Sequence, residues 1–146
     1  MINSIGDFTM NYQPKILYIL VNKNTTHRLF ENGNGHGIYV NPGPGTVLDT
    51  GLVENSGDKL FDFYLIPHKA TIATARPVHY KVVWNSASMA KEAIENITYH
   101  LCYNYVNFAG SIKVPAPCMY AQKLANYAHD NSVNPNPKLA LNLHFL

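Results

Sequence analysis

The chain has 146 residues, 47% of them hydrophobic, with 11 basic against 9 acidic side chains for a net charge of +2. That length suits one compact unit or a piece of a larger one, and the near balance of charge excludes a generally basic surface, so nucleic-acid binding requires a local cluster. No apolar run reaches the roughly 18 residues of a membrane span, and the opening MINSIGDFTMNYQ lacks the basic start and apolar core of a signal peptide.

In chain order, Lys15 to Lys23 (KILYILVNK) is an apolar run of strand length, rich in branched and aromatic residues. It predicts a central strand buried on both faces. Residues 31–45 (ENGNGHGIYVNPGPG) are dense in Gly, Asn and Pro and read as a surface loop, after which TVL forms a short strand before Asp49. Asp62 to Pro67 and His79 to Asn85 are two further strands, separated by the loop KATIATARPV. A helix is expected from Ser86 or Ser88, whose hydroxyls can cap it, to about Val106, with Ile94, Ile97, Leu101, Cys102 and Tyr105 on its apolar side. Ser111 to Val114 reads as a short strand. A second helix follows over Cys118 to His129, with Pro117 in its first turn. The prolines of NSVNPNPK exclude regular structure there, and the apolar end LALNLHFL should dock.

Strands mixed with helices, no internal repeat and no dividing linker define a single α/β unit. Cys102 and Cys118 lack Cys-x-x-Cys spacing and are too few for a disulfide framework, so they read as buried small apolar side chains in a reducing compartment, cytoplasmic or nuclear. The Asn-x-Thr triplets at Asn24 and Asn96 carry no weight, because the pattern is common by chance and Asn96 falls inside the predicted helix.

Five strings in this order carry a resemblance: PGTVLDTG at 44–51, FDFYLIPH at 61–68, RPVHYKVVW at 76–84, ITYHLCYNYV at 97–106 and VPAPCMYAQKLA at 114–125. Together they resemble the C-terminal portion of the Piwi domain, the ribonuclease-H-like domain of Argonaute proteins. PAPCMYAQKLA and the closing LHFL are more similar to the Piwi clade. The resemblance implies a mixed sheet flanked by helices and a single partial domain over 1–146, with the upstream strands and the Mid and PAZ domains outside the chain. Such a sheet would expose an edge and one face, so the chain alone is expected to be aggregation-prone or to need its upstream half.

It further implies small guide RNA and complementary target RNA as partners, together with silencing-complex proteins, and cleavage of the target by two Mg2+ (or Mn2+) ions. Hard oxygen donors would hold those ions. Asp49 is the acid that the resemblance assigns to the metal, and Gln122 stands where a histidine is usual. A neutral amide ligates magnesium weakly and cannot shuttle a proton. None of Asp7, Glu31 or Glu54 sits in a matching motif for the other two acids. Cleavage is therefore expected to be impaired, unless the missing upstream half restores it. Guide-phosphate contacts fall to His68 and Arg76, with Lys69 and Lys123 as nearby candidates, and the terminal carboxylate of Leu146 is expected to help hold a metal at the guide's 5′ phosphate. His79 and Tyr80 read as structural, and Tyr99, Tyr103, Tyr105 and Tyr120 as core. A protein-interaction module without RNA remains the third reading.

Overall fold

The computed structural model describes residues 13–53, 60–132, 136–139 and 142–146. Asp7 and Glu54 lie outside the described residues. Four strands form the main sheet in the order β1-β6-β5-β4: β1 (Leu17–Asn22), β4 (Thr46–Leu48), β5 (Asp62–Ile66) and β6 (Val78–Asn85). Neighbouring strands run antiparallel. Two helices follow, α1 (Lys91–Leu101) and α2 (Ala116–Asn131), and a 3-10 turn covers Pro137–Leu139. That turn lies within the stretch expected to be irregular.

Period-two alternation sorts the sheet into two faces. On one, Phe63, Leu65, Val78, Tyr80, Val82, Ile94 and Val114 form the buried core, against which Leu17, Ile19, Val21, Val47, Cys118 and Met119 pack. Both helices therefore cover the same face. The register places Ile19 beside Val82 and Phe63 beside Tyr80 on this side. A bulge between Tyr18 and Ile19 shifts the pairing, so Trp84 points to the opposite face even though Val82 points inward. That second face carries Tyr18, Leu20 and Trp84, all about half exposed.

The expectation of a central β1 buried on both faces is corrected here. Among the described residues β1 is an edge strand, and its alternate side chains are open to water. An unbroken apolar run cannot distinguish a doubly covered strand from one whose second face is open. Residues 31–45 also hold more order than expected, a two-residue ribbon of β2 (Glu31–Asn32) with β3 (Tyr39–Val40).

Helix α1 is shorter than predicted at both ends. Ser88 has φ +51 and Ala90 is the N-cap without a side-chain bond, so neither serine caps the helix. Ser86 instead uses its hydroxyl to bind the backbone of Ile16, tying β1 to the end of β6. The buried line is Ile94, Thr98 and Cys102, whereas Ile97 is 43% exposed. Thr98 and Cys102 satisfy their polar atoms on the carbonyls one turn back, which lets them occupy an apolar face. Residues 111–114 are not a strand in the structure. Helix α2 begins at Ala116, with Pro117 in its first turn as expected. The tyrosines expected in the core are half-buried at best, and Tyr103 is exposed. Cys102 is buried and Cys118 half-buried.

Gly45 fixes the entry to β4. It has φ +85, donates its N–H to the Ile66 carbonyl, and a Cβ there would lie 3.3 Å from the Tyr99 ring. Gly45→Ala is expected to lower stability by about 1–3 kcal/mol, read from the shift of the urea midpoint at unchanged m-value.

Candidate nucleic-acid interface

The β5–β6 connection spans residues 67–77 and is anchored at both ends by the buried prolines Pro67 and Pro77. Neither proline has an N–H to satisfy, which removes one cost of burying the ends of a loop. The middle is held by Asn41, whose amide accepts from the Ala75 N–H at 2.9 Å and donates to the Ala73 carbonyl at 2.9 Å. Thr25 donates its hydroxyl to the Pro77 carbonyl at 2.6 Å. Between these pins the loop borders an open surface cavity of about 370 Å³ lined by His68, Lys69, Thr71, Thr74, Arg76 and, from the segment before α2, Lys113.

The electrostatics of this cavity are one-sided. Lys113 Nζ donates to the Lys23 carbonyl at 3.0 Å. Its pKa is lowered, first by burial and then by Arg76, Lys23 and Arg28, so the charges acting on it are all cations. Three charges from two chain segments, Lys23 and Arg28 after β1 and Arg76 before β6, thus crowd a fourth. Burial is also the larger cause that lowers the His68 pKa, with Lys113 second, and His68 Nδ1 is buried without a hydrogen-bond partner. Arg28 spends one guanidinium nitrogen on the carbonyls of Thr26 and His27, at 3.0 and 2.8 Å. Such a cluster of cations attracts anions.

Of the predicted contacts, His68, Lys69 and Arg76 come together here. Lys123 does not. Its ammonium sits 5.7 Å from the centre of the Tyr105 ring, on the far aromatic surface of α2 where Tyr105, Tyr120 and Phe145 meet edge to face or tilted. The tail docks on that surface through Phe145, while His144 meets Tyr127 edge-on. Sequence reasoning missed Lys113, Lys23, Arg28 and the pin Asn41. The available signal was a lysine at each end of an apolar run, Lys23 after YILVN and Lys113 before VPAP.

In the structure Asp49 and Gln122 have separate lysine partners. Asp49 does follow β4, but its carboxylate lies 2.6 Å from Lys91 Nζ, and Lys91 also donates to the Asp49 carbonyl. Glu95 lies close by. Burial and then Asp49 raise its pKa, against the opposing pull of Lys91. Gln122 instead accepts from Lys23 Nζ at 2.6 Å. Lys23 leaves β1 and Asp49 leaves β4, opposite edges of the described sheet with β6 and β5 between them, about 14 Å apart by strand spacing. Asp49 and Gln122 are thus each engaged by a lysine, Lys91 and Lys23 respectively. Among the described residues no three His, Cys, Asp or Glu side chains converge on a metal-sized point. Among the described residues, the side chains present do not assemble a magnesium or manganese centre.

His79 and Tyr80 are structural, as expected. Tyr80 is fully buried, and His79 Nε2 lies 2.7 Å from Asp62 Oδ2 while its ring stacks on Tyr64.

Compared with known families, the chain matches the Piwi domain over residues 1–133. It belongs to the Piwi domain family. Among relatives, it is 33% identical to Piwi-like protein 1 of Danio rerio over 97% of this chain and 16% of that protein. It is 35% identical to Piwi-like protein 3 of Homo sapiens over 90% of this chain and 14% of that one. The chain thus spans about a sixth of the length of these relatives. Its fold matches the crystal structure of Drosophila Piwi with a TM-score of 0.83 and 29% identity, covering 99% of this chain and 19% of that one. It also matches a crystal structure of Kluyveromyces polysporus Argonaute with a guide RNA, with a TM-score of 0.69 and 30% identity over 80% of this chain and 14% of that one. The α/β fold is accordingly that of the C-terminal portion of a Piwi domain. No helix of the described residues is long and apolar enough to cross a membrane.

Proposed function

We propose that this Piwi domain segment grips the sugar-phosphate backbone of a small guide RNA, and that it serves RNA-guided silencing by holding the guide, for pairing with a target, rather than by cutting. One observation carries the reading: Arg76 and Lys113 line one cavity from separate segments, Lys23 adjoins it through its carbonyl bond to Lys113, and the charges acting on Lys113 include no carboxylate. Arg76 offers a planar fork to phosphate, Lys113 a point charge, and Thr71 and Thr74 line the same cavity with hydroxyl donors. The guide-bound yeast Argonaute structure supports the assignment by its likeness to this chain. Silencing-complex proteins would be the further partners, in cytoplasmic granules or the nucleus. Cleavage would have to rely on acids other than Asp49, whose carboxylate is engaged by Lys91.

The test is titration of the chain with 5′-phosphorylated single-stranded RNA over a range of salt. Binding whose log Kd climbs with log salt by about 0.7 per phosphate contact is the expected result. Salt-independent binding, or none, contradicts the reading.

His68 adds a proton linkage. Its lowered folded pKa means that the unfolded chain binds a proton the folded chain does not, so this contribution to stability is full above about pH 6.5 and is lost as pH falls through the folded value. A bound phosphate reverses the local field and favours the imidazolium. RNA affinity is therefore expected to rise as pH drops from about 7.5 to about 5.5. His68→Gln should flatten that rise, as measured by the same titration at several pH values.

A further inference from the structure

Gln122 is a neutral side chain bonded to Lys23, one of the cations that act on Lys113 at the cavity. Its amide oxygen accepts from Lys23 Nζ at 2.6 Å, while the Lys23 carbonyl accepts from Lys113 Nζ at 3.0 Å. Lys23 is thus tied at both ends, by its backbone to the cavity wall and by its side chain to α2. A free lysine loses much rotamer entropy when it is ordered on a phosphate, and a chain already held in place has less to lose.

We propose that Gln122 is a positioning residue for phosphate binding, one that holds Lys23 beside the cavity without neutralising it. The inference rests on the phosphate-binding reading given above. The residue type matters for an electrostatic reason. A glutamate at 122 would pair with Lys23 and cancel its charge, and a protonated histidine would repel it. An amide carbonyl holds the ammonium through a charge-assisted bond and leaves the net charge of the cluster intact.

The experiment is fluorescence anisotropy of the full 146-residue chain with a 5′-phosphorylated oligouridylate across a salt series. Gln122→Ala should weaken binding by about fivefold with an unchanged salt slope, because every cation is still present. Lys23→Ala should weaken binding and make the slope shallower by about 0.7, and Gln122→Glu should lower the slope in the same way. The double variant, Gln122→Ala with Lys23→Ala, should bind no more weakly than Lys23→Ala alone, because Gln122 acts through Lys23. Additive losses, or no loss in Gln122→Ala, would overturn the proposal.

A second measurement reads the contact without RNA. After reductive methylation with a 13C label, the Lys23 signal in the unsubstituted chain should stand apart from those of exposed lysines, and Gln122→Ala should move it among them. An unmoved signal refutes the hold itself. A moved signal in a chain that binds no RNA refutes the role in phosphate binding, and that outcome separates failure of the wider reading from failure of the contact.

Discussion

Replacing Arg76 and Lys113 together with alanine lowers affinity for 5′-phosphorylated single-stranded RNA by about a hundredfold at low salt, and makes the salt slope shallower by about 1.4. The first figure follows from two charge-assisted contacts of about 1.5 kcal/mol each, the second from two phosphate charges at about 0.7 apiece on a single strand. The two residues face one cavity, and Arg76 is among the charges that lower the Lys113 pKa. Each single substitution relieves repulsion on the other, so the two losses should sum to somewhat less than the loss in the double variant. Lys138→Ala serves as the control, since that exposed residue lies on the 3-10 turn away from the cavity lining. Equal losses from Lys138→Ala would indicate a general charge effect instead of a site.

Phe63→Ala should destabilise the fold by about 3–5 kcal/mol, a large share of the roughly 5–15 kcal/mol typical of a domain. Phe63 is fully buried in the middle of the sheet, stacked on Tyr80 at 5.0 Å and on Phe61 at 5.8 Å between ring centres. Removing the ring leaves a cavity beneath both helices and breaks both aromatic contacts. Urea unfolding followed by circular dichroism measures the loss. Ile72→Ala on the neighbouring loop removes a side chain that is 98% exposed and should change stability by less than about 0.5 kcal/mol. A small effect at Phe63 would mean that the β5–β6 face is not the core.

The sheet was legible where the apolar pattern and its punctuation agree. DFYLIP and HYKVVWN mark β5 and β6 because each ends on a turn-forming residue, and Pro67 and Pro77 frame the loop between them. The pattern failed where it has no access to solvent. It counts Ile97 as core because it is apolar, yet the helix buries Thr98, whose hydroxyl is satisfied by the Ile94 carbonyl. It extends α1 to Val106 because tyrosines recur at helical spacing, yet the turn ends at Leu101 and the tyrosines bond each other or the backbone, as Tyr99 does with Tyr103 and Tyr120 does with Asn104.

The interface divides along the same line. His68, Lys69 and Arg76 were legible because they sit on one short loop, so proximity in sequence stands for proximity in space. Lys23 and Lys113 are ninety positions apart and meet only after β1 and the segment before α2 pack side by side. Asp49 and Gln122 show the converse. A resemblance placed them in one site, whereas in the structure the Asp49 carboxylate pairs with Lys91 and the Gln122 amide with Lys23.

The most direct measurement is photo-crosslinking of the chain to 5′-phosphorylated RNA carrying 4-thiouridine, with the attached peptides identified by mass spectrometry. Attachment within residues 67–77 and near Lys113 is the result that the phosphate-cavity account predicts. Attachment confined to the open sheet face of Tyr18, Leu20 and Trp84, with the loop unlabelled, would contradict it.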